Sequence, residues 1–282
     1  SGEVLRELEG PSDRSELGGV RGLTMVTPGV LLSGGHPGIT RWDLASGHHD
    51  RLAGRTQQVS RLVPDPSGRF VATLGWFSAG VLRGEESDIM RTQEHLQIWS
   101  IERGVLLHTY AGRFPEGERF GLDFGAPVAV EGGWISRSGA RAGELARWEP
   151  AREGPVATLD LGGSISELGP AGADLFALHR PPGAAAEEGD EDEGPSDLLT
   201  LVDADLRPLG SFEMPLRARH VAADDARIAA TDLDGRLVLL DRQGALLAEL
   251  DLRGAAYRLA LAGDRIVVGM ADGRVHVLAI RG

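Results

Sequence analysis

The stretch from Gly29 to Gly47 reads GVLLSGGHPGITRWDLASG. It holds a short apolar run at residues 30–32, then small residues and a Pro-Gly break, and then a second short segment at residues 39–43. Apolar runs of this length, bounded by turn residues, are too short for helices and fit strands buried between neighbouring layers. The stretch therefore predicts two consecutive strands joined by a turn.

The same arrangement recurs along the chain, and six units can be aligned. Each unit has a first strand with an apolar residue near its middle: Leu23, Leu62, Leu122, Leu168, Val221 and Leu259. The second strands are predicted at residues 30–32, 70–72, 134–135, 175–177, 228–230 and 266–268. The third strands, which tend to alternate in polarity, are predicted at residues 39–43, 96–99, 145–148, 199–203, 237–241 and 275–278. A period of roughly 40 residues indicates the blades of a β-propeller.

Fourth strands are predicted at residues 49–52, 105–110, 156–159, 209–212 and 246–250, which leaves the last unit one strand short. When residues 279–282 are joined to residues 1–8, the two pieces form one segment of the repeat. Similar segments occur without interruption at residues 100–110 and 241–250. We therefore predict a single all-β domain spanning residues 1–282. It is a six-bladed β-propeller of four-stranded antiparallel blades, with the last blade closed by the N-terminal strand at residues 3–8. The alternatives are a β-sandwich or a plain antiparallel barrel, but neither needs the ends to complete one another.

These units resemble the WD-repeat family of β-propellers. Trp42-Asp43 matches the dipeptide that names the repeat, and Trp99 and Trp148 occupy the same place in the next two units. The family's Gly-His dipeptide before the first strand is missing, so its buried His-to-Asp network is not expected. The family more often has seven blades, and a seventh here would have to lie in an insertion without strand pattern. The resemblance implies a protein-interaction module in a divergent bacterial member of the family.

The amino-acid composition excludes several classes of function. The chain has no Cys, and all 29 basic residues are Arg, so thiolate metal sites, cysteine nucleophiles and lysine Schiff bases are excluded. The net charge of -13 argues against nucleic acid as a partner. No run of about 18 apolar residues is present, so no membrane span is expected and we predict a cytoplasmic protein. Neither a metal-binding His pattern nor a Gly-x-Ser-x-Gly elbow occurs, so no cofactor, metal or catalytic residue is predicted.

Insertions between the second and third strands fall in three consecutive units, at residues 75–94, 138–143 and 181–196, and so are expected on one rim. The first insertion contains Trp76 and Phe77, which we predict to bind a partner because interface centres are rich in aromatic side chains. They would otherwise cover the end of their own blade. The segment at residues 183–194, which carries six acidic residues between Glu187 and Glu193, is expected to be a solvated, disordered loop.

The starts of the first strands line the channel mouth in the family that the chain resembles. Here they offer arginine and aromatic side chains: Arg21, Arg61, Phe120, Arg219, Tyr257 and Arg258. A guanidinium pairs bidentately with a carboxylate, so this set predicts recognition of an acidic protein or peptide segment. The competing interpretation is that the arginines balance nearby acids such as Glu118 and Glu167.

The leading functional hypothesis is a non-catalytic sensor or scaffold module. It would bind a protein or peptide partner, or another domain of its parent chain, within a larger bacterial signalling or effector protein. The alternative is a hydrolase or lyase whose active site lies in the central channel, where side chains distant in sequence would meet.

Overall fold

The computed structural model describes residues 19–36, 38–54, 58–82, 89–113, 123–181 and 196–281, with side chains at 78–82 and 89–92 left out. The described part consists of strands and turns without a helix, so the all-β prediction is confirmed. By its internal contacts the chain divides into two compact units. Unit 1 is Ser1–Phe124 with Glu131–Trp134 and Glu149–Gly154, and unit 2 is Gly125–Val130, Ile135–Trp148 and Pro155–Gly282.

Unit 1 contains two four-stranded antiparallel sheets in which each strand pairs with the next along the chain. The first sheet consists of β1 (Val20–Thr27), β2 (Val30–Gly35), β3 (Gly38–Asp43) and β4 (His49–Arg51). The second consists of β5 (Val59–Pro64), β6 (Phe70–Leu82), β7 (Ile89–Ser100) and β8 (Val105–Ala111).

These two sheets pack face to face over a shared apolar core. Leu32 and Ile39 from the first sheet meet Val59, Leu62 and Trp99 from the second, and all five are at least nine-tenths buried. Burial of each such side chain stabilises the fold by about 1.5 to 3 kcal/mol. The sheets approach closely at Gly34, where an added Cβ would lie 2.6 Å from Val59 Cγ1.

A third four-stranded sheet has the strand order β12-β11-β10-β9. Its strands are β9 (Val128–Val130), β10 (Gly133–Arg137), β11 (Glu144–Trp148) and β12 (Ala157–Asp160). Most of this sheet belongs to unit 2. Trp134 and the turn at residues 149–154 belong to unit 1, where Trp134 Nε1 donates to Val63 O at 2.9 Å and Tyr110 Oη donates to Arg152 O at 3.0 Å.

Unit 2 continues with an eight-stranded sheet of order β16-β15-β14-β13-β17-β18-β19-β20. One four-stranded half is β13 (Ser164–Ala171), β14 (Asp174–Arg180), β15 (Leu198–Val202) and β16 (Pro208–Glu213). The other is β17 (His220–Ala223), β18 (Arg227–Thr231), β19 (Arg236–Asp241) and β20 (Leu246–Asp251). A single parallel bridge, Ala171 to Ala223, joins the halves, whereas all pairing within each half is antiparallel.

The last sheet, in the described residues, has three strands: β21 (Ala256–Ala262), β22 (Arg265–Met270) and β23 (Val275–Ala279). On its edge strand β23, Val275 and Val277 are 65% and 56% exposed. Ile266, Val268 and Met270 on β22 pack against Ala229, Leu237 and Leu239 of the preceding half-sheet. In the described residues the chain therefore forms five four-stranded antiparallel groups and one three-stranded sheet.

A tryptophan from the third strand is hydrogen-bonded to the second strand in each of the first three sheets. Trp42 Nε1 donates to Ser33 Oγ at 2.8 Å, Trp99 Nε1 to Thr73 Oγ1 at 3.1 Å, and Trp148 Nε1 to Ser136 Oγ at 2.8 Å. The next sheet has no tryptophan at this place. There the buried His179 Nε2 lies 2.9 Å from Thr200 Oγ1, which donates to Ser211 Oγ at 3.0 Å.

In the last two repeats the dipeptides Asp234-Gly235 and Asp272-Gly273 lie in the turns between the second and third strands. Gly235 and Gly273 have φ angles of 92° and 87°, as a tight Asp-Gly hairpin requires. The expected loop at residues 75–94 is wrong in part, because β6 and β7 extend into it and pair from Trp76 with Glu94 to Leu82 with Ile89. In the first repeat, Leu23 is 63% exposed on β1.

Several predictions fall outside the described residues: the pairing of residues 3–8, the positions of Glu118, Phe120 and Leu122, and the acidic loop at 183–194. The number of blades, their closure and the single-domain organisation stay predictions. The described part of the chain contains no helix of the length and apolarity that a membrane crossing needs.

Candidate functional site

Four first strands carry a β-bulge at the same place, near the strand start. The extra residues are Arg21 on β1, Ser60 on β5, Ser166 on β13 and Tyr257 on β21. Ser60 Oγ and Ser166 Oγ each donate to a carbonyl of the paired second strand, at 3.3 and 3.2 Å, which shows that the positions are equivalent. A bulge bends its strand and redirects side chains.

The residues that follow these bulges are Gly22, Arg61, Glu167 and Arg258. The predicted residues Arg21, Arg61, Tyr257 and Arg258 therefore all lie at a bulge or next to one. Arg219 directly precedes β17, and its backbone N–H donates to Thr231 O at 2.6 Å. All five of these side chains are exposed. Phe120, like Glu118, lies outside the described residues.

In unit 1, Gln58 connects β1 to the extended β6–β7 hairpin. Its side-chain oxygen, in the amide orientation that satisfies both groups, accepts from Arg21 Nη1 at 2.5 Å and Nε at 2.9 Å. Its backbone carbonyl accepts from the Trp76 N–H at 3.2 Å. Arg21 and Trp76 are thus both hydrogen-bonded to Gln58, and the sequence does not reveal this connection.

Trp76 and Phe77 are half-buried on β6. Phe77 stacks on His95 with 4.1 Å between ring centroids, so it covers part of its own hairpin. Burial lowers the pKa of His95, and its Nδ1 is a buried atom without a hydrogen-bond partner. The Glu94 carboxylate, opposite Trp76 in the ladder, accepts from the Phe124 N–H at 2.7 Å and ties the hairpin base to the following segment.

In unit 2, Tyr257 and Arg258 project from the bulge on β21. Tyr257 is 65% exposed, and the Arg258 guanidinium carbon lies 5.8 Å from the centre of its ring. Arg258 Nη1 also donates to Tyr257 O at 3.1 Å. A cation above an aromatic face is attracted to it by about 0.5 to 1 kcal/mol at an exposed site, which favours this orientation of the arginine.

Glu167 occupies the position on β13 that Arg258 occupies on β21. Its Oε2 accepts from the Val221 N–H on β17 at 2.9 Å. Burial raises the pKa of Glu167 to about 7, while the Val221 hydrogen bond and the charge of Arg258 act in the opposite direction. Burial, Arg258 and Arg219 together lower the pKa of His220. The sequence suggested Glu167 only as a counter-charge and gave no sign of His220.

The arrangement in unit 2 is chemically suited to bind a carboxylate. It offers two exposed guanidinium groups and an exposed phenol, close to one half-buried acid. Within the ranges that the structure describes, no group of three or more His, Asp or Glu side chains could hold a metal ion.

Comparisons with known proteins identify the fold. No family model matches the chain, and no curated protein matches it. A chain in the crystal structure of the mitotic checkpoint complex is similar with a TM-score of 0.58 and 15% identity, over 98% of this chain and 83% of that chain. Saccharomyces cerevisiae Sqt1 is similar with a TM-score of 0.54 and 12% identity, over 94% of this chain and 83% of that chain. The C-terminal WD40 domain of Sif2 has a TM-score of 0.60 and 12% identity, over 89% of this chain and 64% of that chain.

Proposed function

On the basis of this WD40-like fold, we propose that the chain is a non-catalytic interaction module that binds an acidic protein or peptide segment, or another domain of its parent chain. The observation that carries the proposal is the set of exposed side chains at the starts of the first strands. In unit 2 these are Arg219, Tyr257 and Arg258, and in unit 1 they are Arg21 and Arg61, with the half-buried Trp76 connected to Arg21 through Gln58.

The physical basis is that these side chains stand on paired strands and at β-bulges or, for Arg219, directly before a strand with the backbone N–H bonded to Thr231 O. Such backbone is held by its sheet, so little ordering entropy is lost on binding. Arginine, tyrosine and tryptophan carry a large share of the energy at protein interfaces, and arginine can pair bidentately with a carboxylate. The fold similarity to a chain of a multiprotein assembly, the mitotic checkpoint complex, is consistent with this role.

We also propose that the fold is a six-bladed ring in which residues 3–8 pair with β23. The last sheet has three strands in the described residues, whereas the other groups have four. β23 is an edge strand with Val275 and Val277 exposed, and residues 3–8 include Val4, Leu5 and Leu8. Pairing would bury those apolar side chains and remove an open sheet edge.

The wider context is a proposal from sequence alone. The use of Arg as the basic residue at all 29 positions fits a bacterial genome rich in G and C, and the propeller would serve a signalling or effector protein in the cytoplasm. That nucleic acids and membranes are not partners remains a prediction from net charge and composition.

Selection from a library of random short peptides tests the binding role. We expect the wild-type chain to enrich peptides rich in Asp and Glu, because the exposed arginines are the binding groups. R219A/R258A should lose these peptides. The matched control R207A/R265A, which removes two other exposed arginines of unit 2, should retain them. Peptides without acidic enrichment, or equal capture by both double variants, would contradict the proposal.

The hydrolase or lyase alternative has one observation in its favour. Burial raises the pKa of Glu167 to about 7, which suits a general base, and its Oε2 accepts from the N–H of Val221, the residue next to His220. Turnover of ester or glycoside substrates by the purified chain, abolished in E167Q, would support the enzyme over the interaction module.

A further inference from the structure

We propose that unit 1 has a second binding site, a groove that binds a basic peptide segment through the carboxylates of Glu131 and Glu149. The groove is separate from the exposed arginines of the proposed function. Arg61 lies near the start of β5, whereas Asp65, which lines the groove, directly follows the last residue of that strand. The inference therefore goes beyond the proposed function, because it gives the module a second partner of opposite charge.

The groove has a volume of about 1100 Å³, and the residues that line it all belong to unit 1. They come mainly from four turns, at residues 65–69, 101–104, 131–132 and 149–151. The first two turns join strands of the second sheet, and the other two join strands of the third sheet. The volume exceeds the range of roughly 300 to 1,000 Å³ that is typical of small-molecule pockets, which fits a peptide segment of several residues.

Hydrogen bonds fix the turns on both sides of the groove. The Asp65 carboxylate accepts from the Phe70 N–H at 2.8 Å and so closes the turn between β5 and β6. Across the groove, His108 Nε2 donates to Pro150 O at 2.9 Å, which holds the turn of the third sheet against β8. A groove with fixed walls loses little ordering entropy when it binds a segment.

Half-buried apolar side chains form part of the groove surface. They are Phe70, Leu107 and Pro150. Leu107 is the extra residue of a β-bulge on β8, and a bulge redirects the side chains around it. Arginine and lysine pack their aliphatic stems on apolar surface while the charged group stays in contact with water. The apolar surface therefore suits the stem of a basic side chain.

Carboxylates outnumber guanidinium groups around the groove. The acids are Asp65, Glu102, Glu131 and Glu149, and the arginines are Arg69 and Arg103. Asp65 is turned into its own turn, and Glu102 lies 4.0 Å from Arg69. Glu131 and Glu149 add negative charge from the third sheet, and a guanidinium can pair bidentately with a carboxylate. The chain's net charge of -13 also attracts a cationic segment over a longer range.

Fluorescence anisotropy with a fluorescein-labelled Ala-Arg-Ala-Arg-Ala peptide tests the site, with Ala-Gln-Ala-Gln-Ala as the neutral probe. We expect the wild type to bind the arginine peptide and not the neutral one. E131Q/E149Q should bind it about tenfold more weakly or worse, because the paired carboxylates are lost. The matched control E153Q/E213Q removes two other exposed carboxylates, one of them in the same turn as Glu149, and should bind like the wild type.

A second pair of variants tests the apolar surface. L107A should weaken binding of the arginine peptide by about threefold, because the stem of the bound arginine loses its contact. Leu209 is the extra residue of the bulge on β16 and does not line the groove, so L209A should bind like the wild type. If L107A fails to fold, the comparison of the two glutamine double variants decides the question.

The outcomes separate this inference from the proposed function. R219A/R258A should retain the arginine peptide, so loss of acidic peptides in that variant bears only on the proposed function. Equal weakening by E131Q/E149Q and E153Q/E213Q would show general charge attraction and overturn the groove as a site. Self-association of the wild type that E131Q/E149Q abolishes would identify a second copy of the chain as the occupant and overturn the assignment to a separate partner.

Discussion

The indole N–H of Trp99 is fully buried, and its hydrogen-bond partner is Thr73 Oγ1 at 3.1 Å. The same pairing holds Trp42 to Ser33 and Trp148 to Ser136. A buried donor without a partner costs about 1 to 3 kcal/mol, so these small hydroxyl residues fix both the rotamer of the tryptophan and the spacing of the second and third strands.

T73V tests this contribution, because valine keeps the shape of threonine and removes the hydroxyl. We expect the free energy of unfolding to fall by about 1 to 3 kcal/mol, since the Trp99 N–H would be left buried and unpaired. Urea unfolding followed by tryptophan fluorescence measures the change. T27V, at an exposed position on β1, should change stability by less than about 0.5 kcal/mol. Equal effects of the two substitutions would show that the buried hydrogen bond contributes nothing.

At the scale of single residues, the sequence predicted which strand a residue belongs to better than it predicted which residues it contacts. Trp42, Trp99 and Trp148 could be aligned because each ends a third strand in the repeat. The contact between Glu167 and Val221 joins residues from two different repeats, and the half-burial of Glu167 arises only when β13 and β17 come together. No local pattern carries that information, which is why its raised pKa could not be predicted.

At the scale of elements, the Asp-Gly hairpins are the clearest link between sequence and structure. Gly235 and Gly273 have nearly the same positive φ, but an added Cβ at Gly235 would collide with the Gly254 carbonyl oxygen, whereas at Gly273 it would meet nothing within 4 Å. An alanine would therefore meet the same backbone strain in both turns, but only at Gly235 would it also clash with another part of the chain.

G273A should cost about 1 to 2 kcal/mol, which is the strain of a left-handed alanine. G235A should cost about 3 kcal/mol or more, because the Gly254 backbone must also move. Thermal and urea unfolding of both variants measure the difference. If G235A were no more destabilising than G273A, the close approach between the two loops would be wrong.

Most second and third strands predicted from the repeat agree with the structure, because short apolar runs between turn residues leave little choice of register. The first strand of the third repeat does not: it was predicted around Leu122, whereas the first strand of that sheet is β9 (Val128–Val130). The extension of β6 and β7 beyond Gly75 was missed, since residues 76–93 lack the apolar alternation that marks the other strands. The bulges were also missed. Their extra residues are as different as Arg21, Ser60 and Tyr257, and a bulge exists only relative to the partner strand.

At the scale of the whole molecule, the sequence indicated six repeats and ends that complete one another. The described residues contain strands for all six repeats, and the last of them has three strands. Closure by residues 3–8 matters for the proposed function, because a fourth strand would complete the sheet that carries Tyr257 and Arg258 and so restrain the strand on which they stand.

Disulfide cross-linking tests closure most directly, and the absence of native Cys leaves engineered pairs as the only thiols. V277C on β23 would be combined with a cysteine at each position from Val4 to Leu8, and V267C/V277C, which are partners on β22 and β23, would serve as the positive control. We expect rapid intramolecular cross-linking at the one scanned position that lies directly opposite Val277, because only that residue brings its Cβ atom close to disulfide range, while diagonal neighbours on the same face lie about 7 to 8 Å away. A positive control that cross-links while all five scanned positions stay reduced would contradict the closed ring.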